Sequence, residues 1–474
     1  MSSTAKQGKE LAKNTVIISI GKICTQAVGF LLLPLYTGIL STGDYGAVDL
    51  IITYTSLLIP IFTMQLEQAV FRFVIDVRGN DNEIKKVVSA IFTIGITFLL
   101  AFTVVYMAVA PFIPSRYKYF LIGNLLTTAY SLFMLQIARG LGKNGVYALG
   151  SFLNAASIVV LNIVFLVCFN MGAEGMMWSQ IIASTVGGTY VLFATKAYRY
   201  IRLRKPSKQE AKTYLKYSAP LVPNQVSWWV LSASDRTVIL WLMGVAYNGI
   251  YSIAGKFSNM YSVMYNIFNL SWTELLSVHF NDENRGKIFS ELQDAVVKLL
   301  VCVYLLFISV MPFVFSIMIN KKYDEAYYQI PVLMIGVFFS AMIGVMSAYY
   351  IADKKTTVIA ATTMICAAIN LVLDVILMPF IGLYAASIAS AVAYFIMCVI
   401  RFIDVHKKYG INHSIKTIIL FIVSSVVVFS CYYTRNMIVC AICLAGVAIM
   451  TFLLNRKILS SILKSAKKRF LNKA

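Results

Sequence analysis

The chain has 474 residues, of which 59% are hydrophobic and 13% charged, and its formal net charge is +21. A soluble globular chain carries about 25% charged residues, whereas this pool of about 280 apolar residues is enough for about fourteen membrane-crossing helices at roughly 20 residues each. The composition excludes an ordinary cytosolic enzyme, a disordered chain and a disulfide scaffold. It also excludes an outer-membrane barrel, whose strands would alternate rather than run apolar.

Met1 to Asn14 carries Lys6, Lys9 and Lys13 before a long apolar run from Thr15. No small-residue cleavage site follows, so this reads as an uncleaved first helix. Apolar runs broken by charge predict spans at 15–40, 46–70, 87–110, 119–138, 147–169 and 175–195, then 217–243, 248–273, 295–319, 329–351, 357–378 and 384–402. A final pair covers 416–433 and 437–455. With the N-terminus inside, 33 of the 41 Lys and Arg residues fall on the inner side, counting those at the inner ends of spans. Five fall outside (Arg116, Lys118, Lys321, Lys322, Arg435), and three lie deep in spans. That bias places both termini in the cytoplasm by the positive-inside rule. The same distribution argues against nucleic acid as the partner of the positive charge.

Residues 196–216 hold eight cations and form a basic linker between the first six spans and the next six. The expected division is an N-terminal six-helix lobe (1–195), the linker, a C-terminal six-helix lobe (217–410), and an extra helix pair with a basic tail (411–474). Lys464 to Lys473 and the linker suit contact with anionic lipid. The two lobes read as copies. Leu11-Ala-Lys-Asn and Asp44-Tyr-Gly46 frame the first span, Leu215-Lys-Tyr-Ser and Tyr247-Asn-Gly249 the seventh. Leu11 to Gly46 is 35 residues and Leu215 to Gly249 is 34. Six spans is an even number, so both copies share one orientation and a pseudo-two-fold axis along the membrane normal. The expected fold is an all-α polytopic membrane protein with two rocking lobes about a central site.

Polar residues inside spans mark a cavity or pathway. In the second span Asp49, Thr53, Ser56, Pro60, Thr63 and Glu67 recur at spacings of 4, 3, 4, 3 and 4, which puts them on one helix face. The first span shows Ser19, Lys22, Gln26 and Gly29. Its partner, the seventh, shows Gln225, Trp228, Ser232 and Asp235-Arg236, and the eighth shows Ser252, Lys256, Asn259, Asn266 and Glu274. Three deep cations, Lys22, Arg236 and Lys256, suit an anionic group such as a pyrophosphate, Arg binding it bidentately and Lys as a point charge. The alternatives are snorkelling for Lys22 and a pair with Asp235 or another acid for Arg236. Asp49, Glu67, Asp235, Glu274 and Asp374 are candidate proton or sodium carriers. Most lie near span ends, where a solvated interfacial role is equally available.

The three histidines (279, 406, 413) fall in inner loops. The eight cysteines lie nearly all in apolar runs; Cys440-x-x-Cys443 has redox spacing without a nearby His or acid. Neither metal nor cofactor is expected. Short outer loops and the lack of a glycine-rich phosphate cradle argue against an enzyme or ATPase, and no filter sequence suggests a channel.

Pro34-Leu-Tyr-Thr-Gly with Asp44-Tyr-Gly46, Lys216-Tyr-Ser-Ala-Pro220-Leu-Val-Pro223, Ser234-Asp235-Arg236, Asn248-Gly-Ile-Tyr251, Tyr323-Asp-Glu-Ala-Tyr-Tyr-Gln-Ile-Pro331 and the stretch from Gly382 to Ser390 together resemble polysaccharide-unit flippases. These belong to the multidrug, oligosaccharidyl-lipid and polysaccharide exporter superfamily. The resemblance runs over about residues 10–405. It implies translocation of undecaprenyl-pyrophosphate-linked oligosaccharides to the outer leaflet of the bacterial cytoplasmic membrane, for O-antigen, capsule or exopolysaccharide. It further implies alternating access driven by H+ or Na+, beside polymerase or assembly proteins. A lipid II flippase or a cation/drug antiporter of the same superfamily is the alternative, and an antiporter would favour an acidic cavity.

Overall fold

The computed structural model describes residues 29–280, 285–353, 355–411 and 415–456. Lys22, Gln26 and the basic tail lie outside these residues. Among the described residues all regular structure is helical. Leu33–Ile39 (α1) ends the first predicted span. The second is Thr42–Phe62 (α2) followed by Leu66–Asp76 (α3). Asp81–Val109 (α4), Lys118–Gly140 (α5), Asn144–Ile163 (α6) and Gly172–Thr195 (α7) complete the first six. After the short Lys208–Ser218 (α8) come Leu221–Leu242 (α9), Val245–His279 (α10), Arg285–Met318 (α11), Glu325–Ala352 (α12), Thr356–Ile381 (α13) and Tyr384–Tyr409 (α14). Ile415–Tyr433 (α15) and Met437–Leu454 (α16) are the extra pair. Ten of these segments are long and apolar enough to cross a membrane. α7, α9 and α10, at 24, 22 and 35 residues, have the length with more polar faces. The protein is a multi-pass helical membrane protein, and every predicted span from the second onward is occupied by a helix.

The chain forms two compact units that divide after Ser252, within α10, rather than in the basic linker. In the first unit Leu66, Ala69, Val70 and Val74 of α3 bury themselves among Val88 and Ile91 of α4 and Ile137 and Ala138 of α5. The linker does not run free. Ser89 and Thr93, one turn apart on α4, bind its backbone: Ser89 Oγ donates to Tyr200 O (2.7 Å) and accepts from Arg202 N (3.1 Å), and Thr93 Oγ1 accepts from Arg204 N (3.1 Å). A capping box then starts α8. Ser207 Oγ accepts from Glu210 N (3.1 Å), and Ser207 N donates to Glu210 Oε2 (2.8 Å).

The Ser207 amide, aided by Arg204, holds the Glu210 carboxyl below its ordinary range. A carboxyl lowered by folding stabilises above its unfolded pKa, and that contribution is lost as pH falls through the folded value. Acidification across that interval is expected to speed amide hydrogen exchange over residues 207–213. The Glu210→Gln variant should show no such step, and an unchanged step would remove the box as its cause.

In the second unit α12, α13 and α14 are joined by Arg401, which is 1% exposed. Its guanidinium donates to Ser347 Oγ on α12, and to Ile359 O (3.1 Å), Thr362 Oγ1 (2.7 Å) and Thr363 Oγ1 (3.2 Å) on α13. These are neutral acceptors, so the cation satisfies its five donors on helix carbonyls and hydroxyls instead of facing water. Arg401, near the end of the predicted span 384–402, is thus a buried tie between three helices.

Candidate functional site

The polar faces of the second, seventh and eighth spans meet inside the first unit. Asp49 sits two turns into α2 between Val48 and Leu50, and all three are buried. Arg236, near the end of α9, donates from Nε to Asp49 Oδ2 at 2.7 Å. The side chains are 17% and 9% exposed, so the pair is largely dry. The first two turns of α10 supply the remaining donors. Ser252 Oγ donates to Asp49 Oδ1 (2.6 Å), and Asn248 Nδ2 reaches both Asp49 Oδ2 (3.4 Å) and Gly46 O (3.0 Å). Asp235, beside Arg236, accepts from Tyr251 OH at 2.6 Å. Each carboxylate thus finds donors within the cluster, as a buried charge requires.

Glycine makes this approach feasible. A Cβ on Gly46 would lie 2.1 Å from Val245 O, and one on Gly249 would lie 2.0 Å from Thr42 O. The start of α2 therefore runs backbone against backbone with the start of α10. Further along α2, Trp229 Nε1 donates to Thr53 O (3.0 Å), and the Trp229 ring stacks on Tyr54 with centroids 6.4 Å apart. Tyr54 OH donates to Thr237 Oγ1 at 3.4 Å. From Gly46 to Thr53, two turns of α2 are clasped by α9 and α10.

The structure thus brings Asp49, Asp235 and Arg236 together, and it pairs Arg236 with an acid 187 residues away rather than with its neighbour Asp235. Lys256, one turn beyond Ser252 on α10, is half-buried, and Asn259 is exposed. Glu274 is exposed on the same helix, while Asp374 is fully buried on α13. Glu67 is buried at the start of α3 and stands apart from the clasp. Sequence reasoning did not give Asn248 a role, nor the two glycines, although both glycines close motifs that the sequence reads as equivalent. Among the described residues no group of three or more His, Cys, Asp or Glu gathers to hold a metal.

The sequence matches the family described as polysaccharide biosynthesis protein over residues 11–272. No curated protein sequence matches the chain. Among solved structures it is similar to the lipid II flippase MurJ in an inward closed conformation, with a TM-score of 0.69 at 13% identity over 94% of this chain and 100% of that one. It is also similar to a multidrug resistance MATE family transporter in an inward-facing conformation, with a TM-score of 0.65 at 13% identity, covering 80% and 93%. The Vibrio cholerae MATE transporter VcmN gives a TM-score of 0.55 at 16% identity, covering 86% and 98%. At these identities the likeness concerns the fold.

Proposed function

Because the chain belongs to the polysaccharide biosynthesis protein family, we propose that it is a flippase of polyprenyl-linked sugar. In this reading it moves undecaprenyl-pyrophosphate-linked oligosaccharide repeat units from the inner to the outer leaflet for a surface polysaccharide such as O-antigen, capsule or exopolysaccharide. The observation that carries the reading is the buried Arg236–Asp49 pair, set where α2, α9 and α10 cross. With the positive-inside orientation, both termini lie in the cytoplasm of a bacterial inner membrane and the clasp closes the outer end of the pathway.

The clasp is an anion site already occupied by the protein's own carboxylate. Opening α2 from α10 separates Asp49 from Arg236, and the freed guanidinium takes a pyrophosphate oxygen pair in its place. Lys256, Asn259, Lys22 and Gln26 are the further residues we propose for binding the pyrophosphate-sugar head. Exchange of one anion for another keeps the buried cation compensated throughout the cycle. Asp49, Glu67, Asp235, Glu274 and Asp374 are the acids through which an ion gradient acts on this exchange, with H+ or Na+ as the driving ion. The basic linker faces anionic lipid, and polymerase or assembly proteins receive the product.

The test is deletion of the gene in its host, with extraction of polyprenyl-linked glycans and measurement of surface polymer. The expected result is accumulation of an oligosaccharide-pyrophosphoryl lipid together with loss of the polymer. Accumulation of lipid II instead would move the substrate to the cell wall precursor. Sensitivity to cationic drugs without any lipid accumulation would overturn the flippase reading.

A further inference from the structure

Three cysteines gather near the turn that joins the extra helix pair. Cys431 stands two residues before the end of α15, and Cys440 and Cys443 stand in the first two turns of α16. All three line one crevice against Ile308, Ser309 and Pro312 of α11, and that crevice leaves no room for a water molecule. Direction along the helices decides which sulfurs meet. Each Cα–Cβ bond tilts towards the N-terminus of its own helix, so the side chains of α15 lean away from the turn and those of α16 lean towards it. Cys431 and Cys443 therefore converge across the hairpin, and their thiols lie within hydrogen-bonding distance of each other. Cys440 takes a different partner: its Sγ donates to Cys431 O at 3.5 Å.

The redox spacing of Cys440-x-x-Cys443 does not serve inside a helix. Residues three apart on a helix hold their Cβ atoms about 5–6 Å from each other, beyond the roughly 3.5–4.5 Å that a disulfide spans. The pair across the hairpin is instead presented by a fixed frame. Tyr327 OH donates to Tyr432 O and Tyr432 OH to Tyr327 O, both at 2.9 Å, and the two rings stack with centroids 4.2 Å apart. Arg435, in the turn, pairs with Asp324 at 2.9 Å. The stretch between Cys431 and Cys440 is thus tied to the start of α12.

We infer that Cys431 and Cys443 form a redox-active dithiol, a modification site that closes to a disulfide between α15 and α16 by exchange with a disulfide donor. Cys431 is half-buried about 3 Å from the turn end of α15, and Cys443 half-buried about 9 Å from the turn end of α16, at 1.5 Å per residue. Cys431 is therefore the entry point. Its sulfur gives up a proton and attacks one donor sulfur; the donor S–S bond breaks, and the first half leaves as a thiolate that takes up the proton. Cys443 then loses its proton and attacks Cys431 Sγ, and the second half of the donor leaves as a thiol in the same way. Two cysteine thiols are oxidised to one disulfide, and one donor disulfide is reduced to two thiols. The donor meets the site at the outer face, the oxidising side. That side rests on the orientation taken with the flippase reading; the pairing of the two sulfurs does not.

The test treats the full-length protein, reduced and placed in lipid vesicles, with the uncharged disulfide 4,4′-dithiodipyridine and then with N-ethylmaleimide. Trypsin cleaves after Arg435, so Cys431 falls in one peptide and Cys440 and Cys443 share the next, where fragmentation in the mass spectrometer tells them apart. The expected product is a Cys431–Cys443 crosslink that dithiothreitol reverses. It should exceed the thiopyridyl adduct on Cys431 by at least about tenfold, because the second step is intramolecular. Cys440→Ser should leave the crosslink in place, and Cys443→Ser should strand the adduct on Cys431. A persistent adduct in the unsubstituted protein, a crosslink through Cys440, or no reaction at Cys431 would overturn the inference. The crosslink in a protein that moves no lipid-linked oligosaccharide would sink the flippase reading and leave the dithiol standing.

Discussion

Asp49→Ala is expected to destabilise the protein by roughly 3–5 kcal/mol, the usual penalty for leaving one member of a buried ion pair unpaired. Three donors converge on the Asp49 carboxylate, from Arg236, Asn248 and Ser252, so its removal leaves several buried groups unsatisfied at once. Arg236→Met should cost less, because Asn248 and Ser252 remain to hold Asp49 and the thioether fills the volume of the stem. The double variant Asp49→Ala with Arg236→Met should recover much of the loss, since it buries no orphan charge. Thermal unfolding in detergent of the four proteins gives the coupling energy directly. Additive losses, with coupling near zero, would show that the pair does not hold the clasp. On the flippase reading, export of surface polymer should fail in Asp49→Ala even where folded protein persists, because the clasp lacks its anion.

The second large effect is steric. In Gly46→Ala the new methyl would have to occupy a place 2.1 Å from Val245 O and 2.9 Å from Gly249 N. Both obstacles are backbone, which no rotamer change can move aside. Overpacking typically costs about 1–3 kcal/mol when neighbours can shift; here α2 must move bodily away from α10. The expected consequence is a protein that folds but cannot close this end. A cysteine at Thr53, a position 7% exposed beside Trp229, should be protected from a membrane-impermeant thiol reagent in the parent and become reactive when Gly46→Ala is added. Equal protection in both backgrounds would mean that the contact is not a closure. Gly249→Ala should reproduce the effect, as its Cβ would meet Thr42 O at 2.0 Å.

Much of this architecture was legible in the sequence, because in a membrane the hydropathy signal and the backbone's need for internal hydrogen bonds coincide. The 4, 3, 4, 3, 4 stripe correctly placed Asp49 and Thr53 on one face, and the clasp uses that face. What periodicity could not give was partnership across 187 residues: Asp235 stood next to Arg236 in sequence, yet adjacent helix positions point apart, and Asp49 takes the cation instead. The break at Met64 and Gln65 was also invisible, since neither residue is glycine and the stripe runs through it without a change of phase. Hydropathy ended the second span near residue 70 and so put Glu67 close to the interface. The helix resumes to Asp76, and Glu67 in its first turn is 5% exposed. Arg401 was hidden for the opposite reason, lying at the margin of an apolar run where charge is ordinarily solvated.

The motifs ending in Gly46 and Gly249, which the sequence reads as members of an internal duplication, touch each other. A contact between equivalent surfaces is isologous, the form taken by the interface of a symmetric dimer. Two positions 203 residues apart therefore answer to a single steric constraint. A side chain gained on one strand of the duplication presses on the backbone that carries its counterpart, so variation at either glycine is limited by the other. The smallest residue is required twice, once for each half of the same handshake.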